Sequence, residues 1–105
     1  MLEIYPFILE TLTITQSLAA QISRRDADLG KQLRRASSSI ALNVAEGQYS
    51  RGKNREARYH NALGSARETL ACFEVGIAMG YIRELPPELV TRFNRIIGTL
   101  VRLSR

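Results

Sequence analysis

Apolar side chains recur at intervals of three and four residues along most of this chain, as they do on one face of an α-helix. No segment shows a sustained alternation of apolar and polar residues, so β-strands have little support. Prolines occur at positions 6, 86 and 87, where the first and the last apolar patterns begin. The pattern therefore predicts an all-α protein.

Four helices are expected from this periodicity, and the first two lie at about residues 5–23 and 28–46. Asp26 or Asp28 can serve as the N-cap of the second helix, and Gly47 is predicted to end it. The positions predicted to face the core are Ile8, Leu12, Leu18, Ala19 and Ile22 in the first helix and Leu29, Leu33, Ala36, Ile40 and Val44 in the second.

The third helix is expected at about residues 53–79, with Ser50 as candidate N-cap and Gly80 as its stop, and the prolines at 86–87 open the fourth. Gly64 costs about 1 kcal/mol relative to Ala, which a close contact between helices can offset. The predicted core positions are Tyr59, Leu63, Ala66, Leu70, Phe73 and Ile77, then Leu89, Phe93, Ile96, Leu100 and Leu103. Four amphipathic helices with short connections favour an antiparallel up-and-down four-helix bundle.

A chain of 105 residues is expected to form one domain, spanning residues 1–105, because a second core would require roughly 50 further residues. The N-terminus lacks the basic start and the uninterrupted apolar run of a signal peptide. No stretch approaches the roughly 20 apolar residues of a membrane span. The single cysteine, Cys72, cannot form an internal disulfide, so we expect a protein of the reducing cytoplasm.

The formal net charge of +5 is concentrated in two segments of the chain. Residues 24–35 hold five cations and two acids, and residues 51–58 hold four cations and one acid, so each segment carries +3 and the remainder carries −1. Seven of these cations form the candidate nucleic-acid-binding surface: Lys31, Arg34, Arg35, Arg51, Lys53, Arg55 and Arg58.

Two interpretations of this basic surface are open. In the first, Arg donates paired hydrogen bonds to phosphate. Tyr49 and Tyr59 lie in the same stretch of sequence as these cations and can stack on unpaired bases of RNA or DNA. Alternatively, the cations form a solvated face with intramolecular ion pairs, since the RNA-reading motifs of known folds are absent.

A polar stripe lies beside the apolar stripe on the second and third helices. Its Ser and Asn residues have weaker helix propensity than the Lys, Glu and Gln of an ordinary surface face. The stripe can be a pocket between the two helices or, as we favour, a structural network that fixes helix register or a contact between subunits. Its members are Arg35, Ser39, Asn43, Glu46, Ser65 and Glu68.

Catalytic and metal-binding residues are not expected. His60 has Glu56 at i−4 as its sole neighbour with helical ligand geometry, and Ala57 occupies the position that a Glu-x-x-His di-iron motif would require. Cys72 has no basic partner in sequence, and both a Gly-rich phosphate loop and a nucleophile elbow are missing. We therefore expect a protein without enzymatic activity, metal or cofactor.

The segments RRASSSIALNVAEG, residues 34–47, and ALGSARE, residues 62–68, resemble the 23S rRNA intervening-sequence proteins, often labelled S23. The similarity extends over roughly residues 28–82 and through the Gly-Tyr-Ile turn that begins at Gly80. Many members begin with an aromatic-rich segment containing Trp, and this chain has no Trp. The matching positions are Arg34, Arg35, Ala36, Ser39, Ile40, Asn43, Val44, Ala45, Glu46, Gly47, Gly64, Ser65 and Glu68.

The resemblance implies a cytoplasmic bacterial four-helix bundle that assembles as a homopentamer. Relatives include the accessory variability determinant, which binds reverse transcriptase and nucleic acid in diversity-generating retroelements. Our leading hypothesis is an oligomeric, non-enzymatic bundle that binds nucleic acid, or a nucleic-acid-associated protein such as a reverse transcriptase, through its basic surface. The alternative is a structural module that binds protein partners and no nucleic acid.

Overall fold

The all-α prediction is confirmed by a computed structural model that describes residues 3–105 and contains no strand in that range. Its helices are α1 (Ile4–Ile14), α2 (Gln16–Arg25), α3 (Ala27–Gln48), α4 (Gly52–Ala78) and α5 (Pro87–Leu103). α1 and α2 together form one leg, which packs against α3, and α4 packs between α3 and α5. Because α1 also contacts α5, the α1–α2 unit, α3, α4 and α5 close into a four-membered bundle with extents of 42 × 25 × 19 Å.

The first leg differs from its prediction as a single helix, because it is interrupted at Thr15. The Thr15 amide is shared between the carbonyls of Thr11, at 3.1 Å, and Leu12, at 3.2 Å, and the Thr15 hydroxyl donates to Leu12 O at 2.7 Å. Hydroxyls that bond to carbonyls of the preceding turn compete with the regular ladder and bend helices. The apolar pattern continues across the break, so Ile8 and Ile22 are both fully buried.

α3 begins as predicted, since Asp26 is its N-cap and accepts a hydrogen bond from the Leu29 amide at 3.0 Å. The prediction that Gly47 ends this helix is wrong, because α3 continues to Gln48 and Gly47 is buried against Tyr59. A Cβ on Gly47 would lie 2.5 Å from Tyr59 Cε1, so this glycine permits a close approach of α3 and α4.

The ends of α4 were predicted correctly at Gly80 and incorrectly at Ser50. Gly80 has φ +79°, and the amides of Gly80 and Tyr81 donate to Ile77 O and Gly76 O, which is a Schellman ending. The N-cap of α4 is Arg51, whereas the Ser50 hydroxyl donates back to Glu46 O at 2.9 Å. Gly64 is exposed with nothing near its missing Cβ, so the close contact predicted there does not occur.

The predicted apolar stripes form one core that draws on every helix. Ile40, Val44, Phe73, Phe93 and Leu100 are fully buried, and the two Phe rings meet edge to face with centroids 6.3 Å apart. Burial of each such side chain contributes about 1.5–3 kcal/mol. Within residues 3–105, none of the helices combines the length and hydropathy that a bilayer crossing requires. The half-buried members of the predicted stripes are Leu12, Leu18, Leu29, Leu70, Ile77 and Leu103.

Candidate nucleic-acid interface

The seven candidate cations are all exposed, and they lie in two groups, one on α3 and one at the connection to α4 and the start of α4. The first group is on the N-terminal half of α3, and the second surrounds the turn between α3 and α4. Lys31 and Arg51 are separated by about 30 Å along the helix axis at 1.5 Å per residue. The first group consists of Lys31, Arg34 and Arg35, and the second of Arg51, Lys53, Arg55 and Arg58.

The cations of both groups have no carboxylate partner among residues 3–105. The two ion pairs in this part of the chain join Arg92 to Glu10 and to Glu88, at the opposite side of the bundle where α1 meets α5. The solvated face of the second interpretation is therefore present, whereas the ion pairs that it expected are not formed by these seven cations within residues 3–105. Their positive charge remains available to solvent or to a polyanion.

Two of the five guanidinium groups among these cations contact neutral acceptors of the protein. Arg34 donates to the Ser23 hydroxyl at 2.7 Å, which connects α3 to α2. Arg55 Nε is shared between Gly47 O, at 3.2 Å, and Ser50 O, at 2.8 Å, so it satisfies carbonyls at the C-terminal end of α3. Arg55 therefore has a structural contact in the turn in addition to its charge.

The two tyrosines proposed for base stacking have opposite environments. Tyr49 is 90% exposed at the end of α3, whereas Tyr59 is 3% exposed and packs on Gly47. Burial raises the pKa of the Tyr59 phenol, although the nearby Arg55 charge acts in the other direction. Stacking by Tyr59 is therefore ruled out in this fold, and Tyr49 remains as the accessible ring.

The centre of the polar stripe is a hydrogen-bonded cluster between α3 and α4. Asn43 Nδ2 donates to Ser39 Oγ at 2.9 Å and to Ser39 O at 3.0 Å, and Ser65 Oγ donates to Ser39 Oγ at 2.9 Å. Arg35, Glu46 and Glu68 are exposed, and within residues 3–105 they form no ion pair. The network thus connects the two helices through neutral groups, and the three charged members of the predicted network lie outside it.

A shallow groove follows this stripe over the α3–α4 surface, with Arg35 and Arg58 toward its two ends. Leu42 lines the same groove and is 65% exposed, although it is not among the residues predicted for this surface. The available signal was its spacing, because Leu42 follows Arg35 by seven residues and therefore lies on the same polar face. A second concave surface adjoins the α3–α4 turn and is lined by Ser50, Asn54, Ala57, Arg58 and Asn61.

His60 and Cys72 both lie on α4 and differ in their exposure to solvent. His60 is exposed beside Gly64 and Glu68, and residues 3–105 hold no cluster of three or more His, Cys, Asp or Glu side chains suited to a metal ion. Cys72 is buried, and burial together with the Glu68 charge raises the pKa of its thiol. The thiol is a packed core group.

The comparisons with known proteins bear on the sequence resemblance. The profile of the family described as 23S rRNA-intervening sequence protein matches residues 5–101, which is nearly the whole chain. Comparison with curated proteins and with solved structures yielded no match. The family resemblance noted at residues 34–47 and 62–68 is confirmed, and this chain belongs to the 23S rRNA-intervening sequence protein family.

Proposed function

We propose that this protein is a non-enzymatic, oligomeric helical bundle of the cytoplasm that binds nucleic acid, or a nucleic-acid-associated protein such as a reverse transcriptase. The binding surface is formed by the exposed cations of α3 and of the α3–α4 turn. The observation that supports this proposal is their lack of carboxylate partners within residues 3–105, in a chain of net charge +5. Cations left unpaired in this way can displace the counterions of a phosphate backbone, and that release contributes binding free energy.

The test is a salt titration of binding to labelled RNA and DNA, followed by fluorescence anisotropy. Each phosphate contact contributes a slope of about −0.7 to −0.9 to the dependence of log K on log salt. Replacing Arg51, Lys53 and Arg58 together by Ala is expected to reduce the slope by about 2 to 3. The matched control replaces Arg83, Arg102 and Arg105 by Ala, three exposed cations elsewhere in the chain. Absence of binding to RNA and DNA at low salt would refute direct nucleic-acid binding.

We also propose, from the family resemblance, that the chain assembles as a homopentamer. Val75 and Met79 are exposed apolar side chains four residues apart at the end of α4, which is consistent with a surface that associates. Light scattering on purified protein is expected to give about five times the chain mass of 11.8 kDa. A monomer at micromolar concentration would contradict the proposed assembly.

A further inference from the structure

Tyr49 stands at the end of α3, in the short connection of residues 49–51 that leads into α4. Its side chain is 90% exposed, the highest value among the exposed large apolar side chains of the described residues. An aromatic ring in water gains about 1–3 kcal/mol by stacking on a nucleic-acid base, and every base offers such a face. The Tyr49 ring is therefore suited to stack on a base whose face is open to solvent.

The turn that carries Tyr49 has a defined backbone. The amides of Tyr49 and Ser50 donate to Glu46 O and Gly47 O, at 3.1 and 3.2 Å, and Arg55 Nε donates to Gly47 O and Ser50 O. The Ser50 hydroxyl adds a further bond to Glu46 O. Because the backbone is held by these contacts, a ligand that stacks on Tyr49 has little loop entropy to overcome.

The concave surface beside this turn provides groups that can bond to the edges of bases. Asn54 and Asn61 each present an amide with two donors and one acceptor oxygen, and neither side chain has a hydrogen-bond partner within residues 3–105. Arg58 lines the same concavity, and Arg51 and Lys53 are exposed within a few residues of it along the chain. Amides and a cation thus line the concavity, and Tyr49 directly precedes one of its lining residues, Ser50, in the chain.

We propose that the α3–α4 turn binds single-stranded RNA or DNA, with an unpaired base stacked on Tyr49 and a neighbouring base bonded to Asn54 or Asn61. This inference rests on the proposed nucleic-acid binding and specifies the strand state of the ligand. In a duplex the base faces are stacked on one another and their pairing edges are occupied, so Tyr49 would find no face to stack on and the Asn amides could reach only the groove edges.

The strand can continue from the turn along the solvent face of α3. Lys31, Arg35, Leu42 and Tyr49 lie on that face at intervals of four or seven residues. The distance from Lys31 to Tyr49 is about 27 Å at 1.5 Å per residue.

The experiment measures binding of labelled oligonucleotides of about 12 units: single-stranded RNA, single-stranded DNA, and the DNA duplex of the same sequence. Wild-type protein is expected to bind at least one single strand about tenfold or more tightly than the duplex. Tyr49→Ala should weaken single-strand binding about 5- to 100-fold and leave duplex binding unchanged. Tyr49→Phe retains the stacking ring and should bind within about twofold of wild type. Val90→Ala, at an exposed apolar position of α5, is the control.

The outcomes separate this inference from the function on which it rests. Equal binding of strand and duplex, with no effect of Tyr49→Ala, would overturn the single-strand inference and leave electrostatic nucleic-acid binding intact. Failure of every oligonucleotide to bind at low salt would overturn both. Loss of affinity in Tyr49→Phe equal to that in Tyr49→Ala would also overturn the stacking role, because it would assign the contact to the hydroxyl group. Circular dichroism of each variant confirms that the helices are retained.

Discussion

At the scale of single residues, the close packing of α3 on α4 depends on Gly47. A Cβ added there would lie 2.5 Å from Tyr59 Cε1 and 2.9 Å from Cδ1, and the Tyr59 ring is enclosed by the core. Gly47→Ala is therefore expected to lower the free energy of unfolding by about 1–3 kcal/mol, as overpacked core substitutions do. Chemical denaturation followed by circular dichroism measures the change.

The matched control for that substitution is Gly64→Ala. Gly64 is exposed within α4 and nothing lies within 4 Å of its missing Cβ, so Ala is expected to stabilise the helix by about 0.5–1 kcal/mol. Equal effects of the two substitutions would contradict the assignment of Gly47 as the packing glycine.

The positions of these two glycines relative to the apolar stripes of their helices indicate their different roles. Gly47 continues the spacing of Ile40 and Val44 on the apolar stripe, whereas Gly64 follows His60 by four residues on the polar face. Position near a helix end favoured the interpretation of Gly47 as a stop. That local preference did not decide the outcome. Gly47 remains helical in α3 because the Tyr59 ring of α4 packs against it.

Cys72 is predicted to react slowly in the native protein. Burial and the Glu68 charge raise the pKa of its thiol, so the thiolate fraction at pH 8 is lower than in the unfolded chain. Alkylation by iodoacetamide at pH 8 should be at least about tenfold slower in native than in urea-unfolded protein. Because the native pKa is the higher one, this group's stabilising contribution is complete below the unfolded pKa and is lost as pH rises through the native pKa. Equal alkylation rates would contradict this.

At the scale of helices, Arg92 holds α1 against α5. Its side chain is 14% exposed and pairs with Glu10, donates to Thr11 Oγ1 at 2.9 Å, and lies 4.5 Å from the Phe7 ring centroid. Arg92→Met keeps much of the aliphatic bulk and is expected to lower the free energy of unfolding by about 1–2 kcal/mol. Thermal or urea denaturation measures this loss.

Glu88→Gln provides the comparison for Arg92, since Glu88 is the other carboxylate near this guanidinium, at 3.7 Å, and is mostly exposed. Such exposed pairs contribute little, so we expect a change of less than about 0.5 kcal/mol. If Glu88→Gln destabilised the protein as much as Arg92→Met, the stabilising effect of Arg92 could not be attributed to its contacts with Glu10, Thr11 and Phe7 of α1.

The helices were predicted well where their apolar period is unbroken, as in α3, α4 and α5. The interruption at Thr15 was not predicted, because Ile8, Leu12 and Ile22 keep helical spacing across it. The break arises from the hydroxyls of Thr11 and Thr15 bonding to carbonyls of the preceding turn. Periodicity reports which side chains are buried, and it is insensitive to such local competition for backbone acceptors.

At the scale of the whole molecule, a net charge of +5 with two ion pairs among residues 3–105 implies repulsion within the folded state. Raising NaCl from about 10 to 300 mM shortens the Debye length from roughly 30 to below 10 Å and should raise Tm by a few degrees. Replacing both Arg51 and Lys53 by Glu is expected to reduce that increase. A Tm that falls with salt would show that attractive pairs dominate the surface.

The sequence located the charge but could not show how the charged residues are arranged around the turn. The two +3 segments follow from counting, and their exposure follows from amphipathic spacing. The placement of Asn54 and Asn61 in one concavity with Ser50 depends on the register of α4 against α3. That register is set by the Gly47–Tyr59 and Ser39–Ser65 contacts between distant segments, which single-helix patterns do not encode.

The graded burial of the phenol rings has a practical consequence. The chain has four tyrosines and no tryptophan; Tyr49 is open to water, Tyr5 and Tyr81 are half-buried, and Tyr59 is enclosed. Ultraviolet emission therefore comes from tyrosine alone, and a dissolved collisional quencher such as acrylamide meets chiefly the ring at the α3–α4 connection. The native protein thus contains a label-free optical reporter at the place where occupancy is of most interest.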